Sequence, residues 1–209
     1  MIHAVVPVKA LADSKSRLFP ERPRRDVEAL SLAMMADVIA CLRAVSAIAR
    51  AWVVTPDATV AQRAEQEGAG VLLRPDPGLN AAIEGASAAV AAPGDGVLVV
   101  LGDVAAADPG EVAQLVAAAP PRGAALAPSR DGGTSALLRR PPDVIPARFG
   151  RDSAKRHREA AAAANAPLVE LALPSLAIDV DLLEDALAIQ AVATLGPRTR
   201  ALLEAWQRA

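Results

Sequence analysis

The chain has 209 residues and a formal net charge of −2; 53% of the residues are hydrophobic but only 2% aromatic, so Ala, Val and Leu must build the core, as in layered α/β domains. Charges of both signs are interspersed with no basic stripe or aromatic platform, which argues against a nucleic-acid partner, and the single Cys41 excludes an internal disulfide and a Cys-based zinc site. No 18-residue apolar run and no signal-peptide pattern occurs, so the protein is expected to be cytoplasmic and away from membranes.

His3 to Lys9 reads as a short buried strand leaving the core at a charged loop, Lys9 to Arg17. From Asp26 to Val45 apolar residues recur every three or four positions, which predicts an amphipathic helix with Cys41 as a small core residue. Ala51 to Asp57 is the next strand, ending in a turn. Thr59 to Glu67 follows as a helix closed by Gly68 and Gly70, and Val71 to Pro75 as a third strand. The loop Pro75 to Asn80 feeds an Ala-rich helix ending near Ala92, and Val97 to Leu101 is the clearest buried strand. Pro109 to Ala118 reads as a helix and Gly123 to Pro128 as a strand. The alternation predicts a three-layer α/β fold, a mostly parallel sheet with helices on both faces.

The second half departs from this rhythm. Asp131 opens a turn, Ser135 to Arg139 looks like a strand, and a proline-rich loop through Pro146 leads to Phe149-Gly-Arg-Asp-Ser153 and a helix containing His157. Leu168 to Asp181 offers strand material and Leu182 to Val192 a helix. Residues 193–209 form a C-terminal helical extension with Trp206, open between packing on its own chain and serving a homodimer. With no linker and no repeat, residues 1–209 are read as a single domain.

Ligands of open α/β sheets bind outside the carboxyl ends of the strands, and three polar clusters fall there: Lys9 to Arg17, Pro75 to Asn80, and Gly102-Asp103. Lys9, Lys15 and Arg17, with two serines between them, offer the cations and hydroxyls a triphosphate needs, without the spacing of a Walker A loop; a solvated loop is the plain alternative. Asp103 is placed either to hold a divalent metal against phosphate oxygens or to cap the following turn. Asp179 and Asp181 would face one way on a strand, although a terminal turn with a helix cap accounts for them equally well. Gly132-Gly-Thr134 and Phe149 to Ser153 combine glycine-exposed amides with hydroxyls, a combination suited to an anion. Ser153 also suits a helix cap, and His3 and His157 read as core or surface residues.

The order of these motifs resembles the 2-phospho-L-lactate guanylyltransferases of coenzyme F(420) biosynthesis, some of which use phosphoenolpyruvate. The likeness rests on Val6-Pro-Val-Lys-Ala-Leu-Ala-Asp-Ser-Lys-Ser-Arg-Leu18, Gly78-Leu-Asn-Ala-Ala82, Leu101-Gly-Asp103, Gly133-Thr134, Leu137-Leu-Arg-Arg-Pro-Pro142, Arg148-Phe-Gly-Arg-Asp-Ser153 with His157, and Ile178-Asp-Val-Asp181. The resemblance implies a nucleotide-diphospho-sugar-transferase-like, Rossmann-like fold that transfers GMP from GTP to a small phosphorylated acid. It implies Mg2+ on Asp103 and on Asp179 or Asp181, and acceptor binding by Thr134, Gly150 and Ser153. Lys9, Lys15 and Arg17 would meet the GTP phosphates, Lys15 and Arg17 stabilising the transfer, with Asn80 near the nucleoside. The chain departs from the family in Asp103-Val-Ala for Asp-Leu-Pro, in Val8-Lys-Ala-Leu for Val-Lys-Pro-Leu, and in Gly133-Thr134-Ser135 for Gly-Thr-Asn. The last of these touches the acceptor side. Rival readings are the same fold with another acceptor or base, and an inert nucleotide-binding module.

Overall fold

The computed structural model describes residues 1–14, 22–180 and 183–208. In chain order the strands are β1 (Ile2–Pro7), β2 (Arg50–Thr55), β3 (Gly70–Leu73), β4 (Gly96–Val100), β5 (Gly123–Pro128), β6 (Thr134–Arg140) and β7 (Leu168–Glu170). The helices are α1 (Arg24–Ala44), α2 (Ala58–Gln66), α3 (Leu79–Val90), α4 (Pro109–Ala118), α5 (Ser153–Ala163), α6 (Leu183–Ile189) and α7 (Pro197–Arg208). Asp57 and Asp108 start α2 and α4 by accepting from the next free amides, and Pro109 occupies the first turn, where its missing N–H costs nothing.

The strands form one sheet in the order β3-β2-β1-β4-β6-β5-β7. β1 pairs in parallel with β2 and β4, β2 with β3, and β5 with β7, while β6 is antiparallel to both β4 and β5. Alternate strand residues enter opposite cores, the two-residue period of a sheet covered on both faces. Ala4, Val6, Leu98 and Val100 face α1, α2 and α4, whereas Val5, Val97, Val99 and Leu137 face α3 and α5. The expected three layers are therefore present.

Two segments differ from the sequence reading. α1 is not a one-faced amphipathic helix: Met35, Val38 and Leu42 pack on the sheet, while Val27, Leu30 and Met34 join a third cluster with residues of α6 and α7. Among the described residues of the stretch from Leu168 to Asp181 only the three-residue β7 is a strand, and Pro174 then starts a 3-10 turn at Pro174–Leu176. Leu173, Leu176, Ile178 and Val180 are buried without joining the sheet.

The C-terminal helix packs on its own chain. Asp37, buried in α1, accepts from the Thr199 amide at 2.8 Å and its hydroxyl at 2.7 Å, and from the Arg198 amide at 3.3 Å. At the far end of α7 the Arg22 guanidinium lies 4.9 Å from the Trp206 ring, at cation–π range. No helix among the described residues is long and apolar enough to cross a membrane.

Candidate active site

β1 leads outward on one side to β2 and β3 and is flanked on the other by β4, so the strand order reverses beside it. That reversal opens a crevice at the carboxyl ends of β1 and β4. Because β6 runs against β4, its first residue rather than its last lies at this edge: Val100 pairs with Ala136, and the Leu101 amide donates to the Ser135 carbonyl at 3.1 Å. Thr134 is thereby brought beside the Gly102-Asp103 turn.

A cavity of about 650 Å3 occupies the edge. Lys9 and Ser14 line it from the loop after β1, Asp103 from the turn after β4, Thr134 from β6, Gly150 and Ser153 from the start of α5, and Asp179 from the segment before α6. Its size is that of a site for a small molecule or nucleotide. A smaller cavity of about 40 Å3 between the ends of β1, β2 and β3 shares Pro7, Val8, Lys9 and Leu79 with it and is closed by Pro56, Arg74 and Pro75. Lys15, Arg17 and Asp181 lie outside the described residues.

The first loop is tied to the scaffold at two points. The Leu11 amide donates to Asp57 at 2.9 Å, and the Ser14 and Ser31 hydroxyls meet at 2.8 Å. Burial pushes the Asp57 carboxyl up, but donation from the Leu11, Val60 and Thr59 amides outweighs it and holds the group below its ordinary value. Asp57 therefore caps α2 and anchors the loop that carries Lys9.

Asp103 and Asp179 bring two carboxylates from separate segments to the same cavity. Oxygen donors of this kind suit a hard divalent cation. Among the described residues no three His, Cys, Asp or Glu side chains gather around one point, so such a cation would complete its shell with phosphate oxygens and water, as Mg2+ does. Asp131, also on the cavity wall, accepts from the Ser129 hydroxyl and from the Gly133 amide, and these bonds lower its pKa. A Cβ at Gly133 would come 2.5 Å from the Ser129 hydroxyl, so a larger residue there would have to displace that side chain.

At the opposite wall the loop from Ile145 to Gly150 is held by side chains. Glu84 of α3 accepts from the Ala147 amide at 2.6 Å, His157 of α5 from the Arg148 amide at 2.9 Å, and Asn80 of α3 from the Phe149 amide at 2.7 Å. Asn80 returns a bond to the Phe149 carbonyl at 3.1 Å, so both ends of its amide are engaged within the protein. Glu84 is in turn paired at 2.8 Å with Arg139, whose fully buried guanidinium also reaches the Ile145 carbonyl and Ser87. Three consecutive amides are thus taken, and Gly150, at φ 112°, begins the part of the loop that lines the cavity.

Ser153 is the first residue of α5 rather than its cap; Asp152, at φ 52°, precedes it. Its hydroxyl donates to Thr134 Oγ1 at 3.0 Å, and Thr134 Oγ1 lies 3.0 Å from His157 Nδ1. Thr134 and Ser153, nineteen positions apart, therefore share one hydrogen-bond chain on the cavity floor. His157 is fully buried, and burial first, then the charges of Arg139, Arg156 and Arg148, push its pKa down to about 4.

The sequence reading gave Glu84 no role, took Asp131 only as the opening of a turn and Arg139 only as part of a motif, and left His157 as a core or surface residue. Only His157 carried a local signal, since it follows Ser153 by four positions and so shares its helix face.

The family profile described as "Guanylyl transferase CofC like" matches residues 2–194. The chain is 39% identical over 180 residues to a phosphoenolpyruvate guanylyltransferase of Sphaerobacter thermophilus, covering 85% of this chain and 87% of the relative. It is 41% identical over 215 residues to a phosphoenolpyruvate guanylyltransferase of Nocardia farcinica, covering 97% and 90% respectively. Its fold is shared, at a TM-score of 0.78 and 18% identity over 99% of this chain and 95% of the other, by a Desulfovibrio desulfuricans G20 protein assigned to the nucleotide-diphospho-sugar transferases. A nucleotidyltransferase fold, a nucleotide-sized cavity at its switch point and this kinship agree: the chain belongs to the CofC-like guanylyl transferase family.

Proposed function

We propose that the protein transfers GMP from GTP to a small phosphorylated carboxylic acid, phosphoenolpyruvate or 2-phospho-L-lactate, and releases pyrophosphate, as a step of coenzyme F(420) biosynthesis. The observation that carries this reading is the convergence of Lys9, Asp103, Asp179, Thr134, Gly150 and Ser153 on one cavity of a guanylyl transferase family member. An oxygen of the acceptor's phosphate bonds to the α-phosphorus of GTP, and the bond from that phosphorus to the bridging oxygen of the β-phosphate breaks. The nucleophile is already an anion, so no general base is required. The chain's task is positioning and charge neutralisation.

Lys9, together with Lys15 and Arg17, receives the triphosphate and stabilises charge moving onto the pyrophosphate. Thr134, Ser153 and the Gly150 amide hold the acceptor. Asp103 and Asp179, with Asp181 as the alternative or additional carboxylate, would hold Mg2+, which supplies Lewis-acid stabilisation of the phosphate oxygens. Pyrophosphate release tests the reading, with GTP, ATP, CTP and UTP each offered phosphoenolpyruvate, 2-phospho-L-lactate and 3-phosphoglycerate. The expected result is turnover with GTP and one of the first two acids; turnover with another nucleotide, or with none, overturns it.

A further inference from the structure

The partners of His157 fix which of its nitrogens carries the proton, and that choice reaches the cavity. The Arg148 backbone N–H can only donate, and it meets His157 Nε2 at 2.9 Å. Nε2 is therefore the bare nitrogen, and a neutral imidazole then carries its proton on Nδ1. Burial and the neighbouring charges of Arg139, Arg156 and Arg148 keep the ring neutral, outweighing a hydrogen bond to the Ser153 backbone that acts the other way. Nδ1 faces Thr134 Oγ1 at 3.0 Å, and the Ser153 hydroxyl donates to the same oxygen at 3.0 Å. Thr134 Oγ1 is thus met by two donors, and its own proton has neither of them to go to. Both hydroxyl residues are almost fully buried, with 2% and 1% exposure, yet they line the cavity floor.

We propose that His157 is a positioning residue: by holding its Nδ1–H tautomer it makes the Thr134 hydroxyl an obligate hydrogen-bond donor to an acceptor anion in the cavity. The proposal rests on the acceptor assignment made above. A hydroxyl that already accepts two hydrogen bonds is polarised and donates more strongly. Presented to a ligand, it favours the bare oxygens of a phosphate or carboxylate. It disfavours a group at that spot that must itself donate, because two donors would then face each other.

Two measurements decide it. The first is the 15N–1H correlation spectrum of the imidazoles at pH 7, in which His157 is distinguished from His3, the other histidine, by loss of its signals in His157→Asn. The Nδ1-protonated neutral tautomer is expected; the Nε2-protonated tautomer or an imidazolium overturns the proposal whatever the substrate. The second is titration of phosphoenolpyruvate, of inorganic phosphate and, separately, of GTP against folded His157→Asn and His157→Leu. The Asn amide places a donor near the Nδ1 position, so both anions should bind within about threefold of wild type, whereas Leu should weaken both about tenfold, the loss of one hydrogen bond to an anion. GTP affinity should stay unchanged in both. Anion binding by His157→Leu equal to wild type, equal weakening of GTP, an Asn variant as impaired as Leu, or no anion binding by wild type each overturn the proposal. Should His157→Leu not fold, the spectrum and the Asn variant still decide. Wild-type pyrophosphate release from GTP is followed alongside: its failure with the expected tautomer and anion binding strikes the acceptor reading alone.

Discussion

Replacing Asn80 by Ala separates two tasks that are easily confused. The resemblance assigns Asn80 to the nucleoside, but its amide spans the backbone of Phe149, accepting from the N–H at 2.7 Å and donating to the carbonyl at 3.1 Å. Phe149 is 3% exposed, so its orphaned N–H would find no water, while the carbonyl keeps a longer bond from Arg156 at 3.3 Å. Losing a buried donor's partner costs about 1–3 kcal/mol, and about 2 kcal/mol is expected here because the carbonyl stays partly satisfied. For a chain of 209 residues that lowers Tm by roughly 4–8 °C. The loosened segment is the one that ends in Gly150, so the KM for the acceptor should rise about tenfold, the cost of one hydrogen bond, with the KM for GTP within twofold. Thermal unfolding and steady-state kinetics with each substrate varied in turn provide the test. A rise confined to the KM for GTP, with Tm unchanged, would refute the clamp and return Asn80 to the nucleotide.

Other perturbations test the proposed roles of single residues. Asp103→Asn should abolish turnover in a folded protein, because the proposed Mg2+ site has few protein ligands and would lose an anionic one; pyrophosphate release at saturating Mg2+ checks this, and near-wild-type rates would refute it. Lys15→Ala and Arg17→Ala should each lower kcat/KM for GTP by about 2–4 kcal/mol of transition-state stabilisation, and unchanged values would make the loop a merely solvated one. Stability should fall on acidification through His157: its folded pKa of about 4 lies below the unfolded value near 6.5, so the unfolded chain binds the extra proton first. The contribution is complete above the unfolded value and is lost as pH falls through the folded one, about 3 kcal/mol in all, and denaturant titrations from pH 7 to pH 4 should show a shallower decline in His157→Asn.

Much of the architecture was legible because its signals are local. Pro109 to Ala118 reads as a helix within its own stretch of sequence, and the buried run from Val97 to Leu101 reads as a strand because both faces are covered. The direction of β6 was not legible, since pairing with β4 is a non-local fact, and it is this reversal that carries Thr134 to the Asp103 side. The second buried face of α1 was hidden for the same reason: Val27, Leu30 and Met34 look like part of one stripe until α6 and α7 cover them. On the site, the cavity gathers Lys9, Asp103, Thr134, Gly150, Ser153 and Asp179 from motifs spread over the chain. The clamps were invisible, because Glu84 and Asn80 act on a backbone more than sixty positions away, and Arg139 joins them through a carboxylate 55 positions from it.

The tie between Asp37 and Thr199 sets a clock on biosynthesis. Its two ends are 162 positions apart, so a ribosome adding about 5–20 residues per second leaves the α1 carboxylate waiting roughly 8–30 s for its partner. Throughout that interval Val27, Leu30 and Met34 also lack the cover that α6 and α7 later provide. The helix made first is thus among the last to be completed, and a nascent chain stalled short of Pro197 offers chaperones and proteases an apolar helix face with an uncompensated charge beside it.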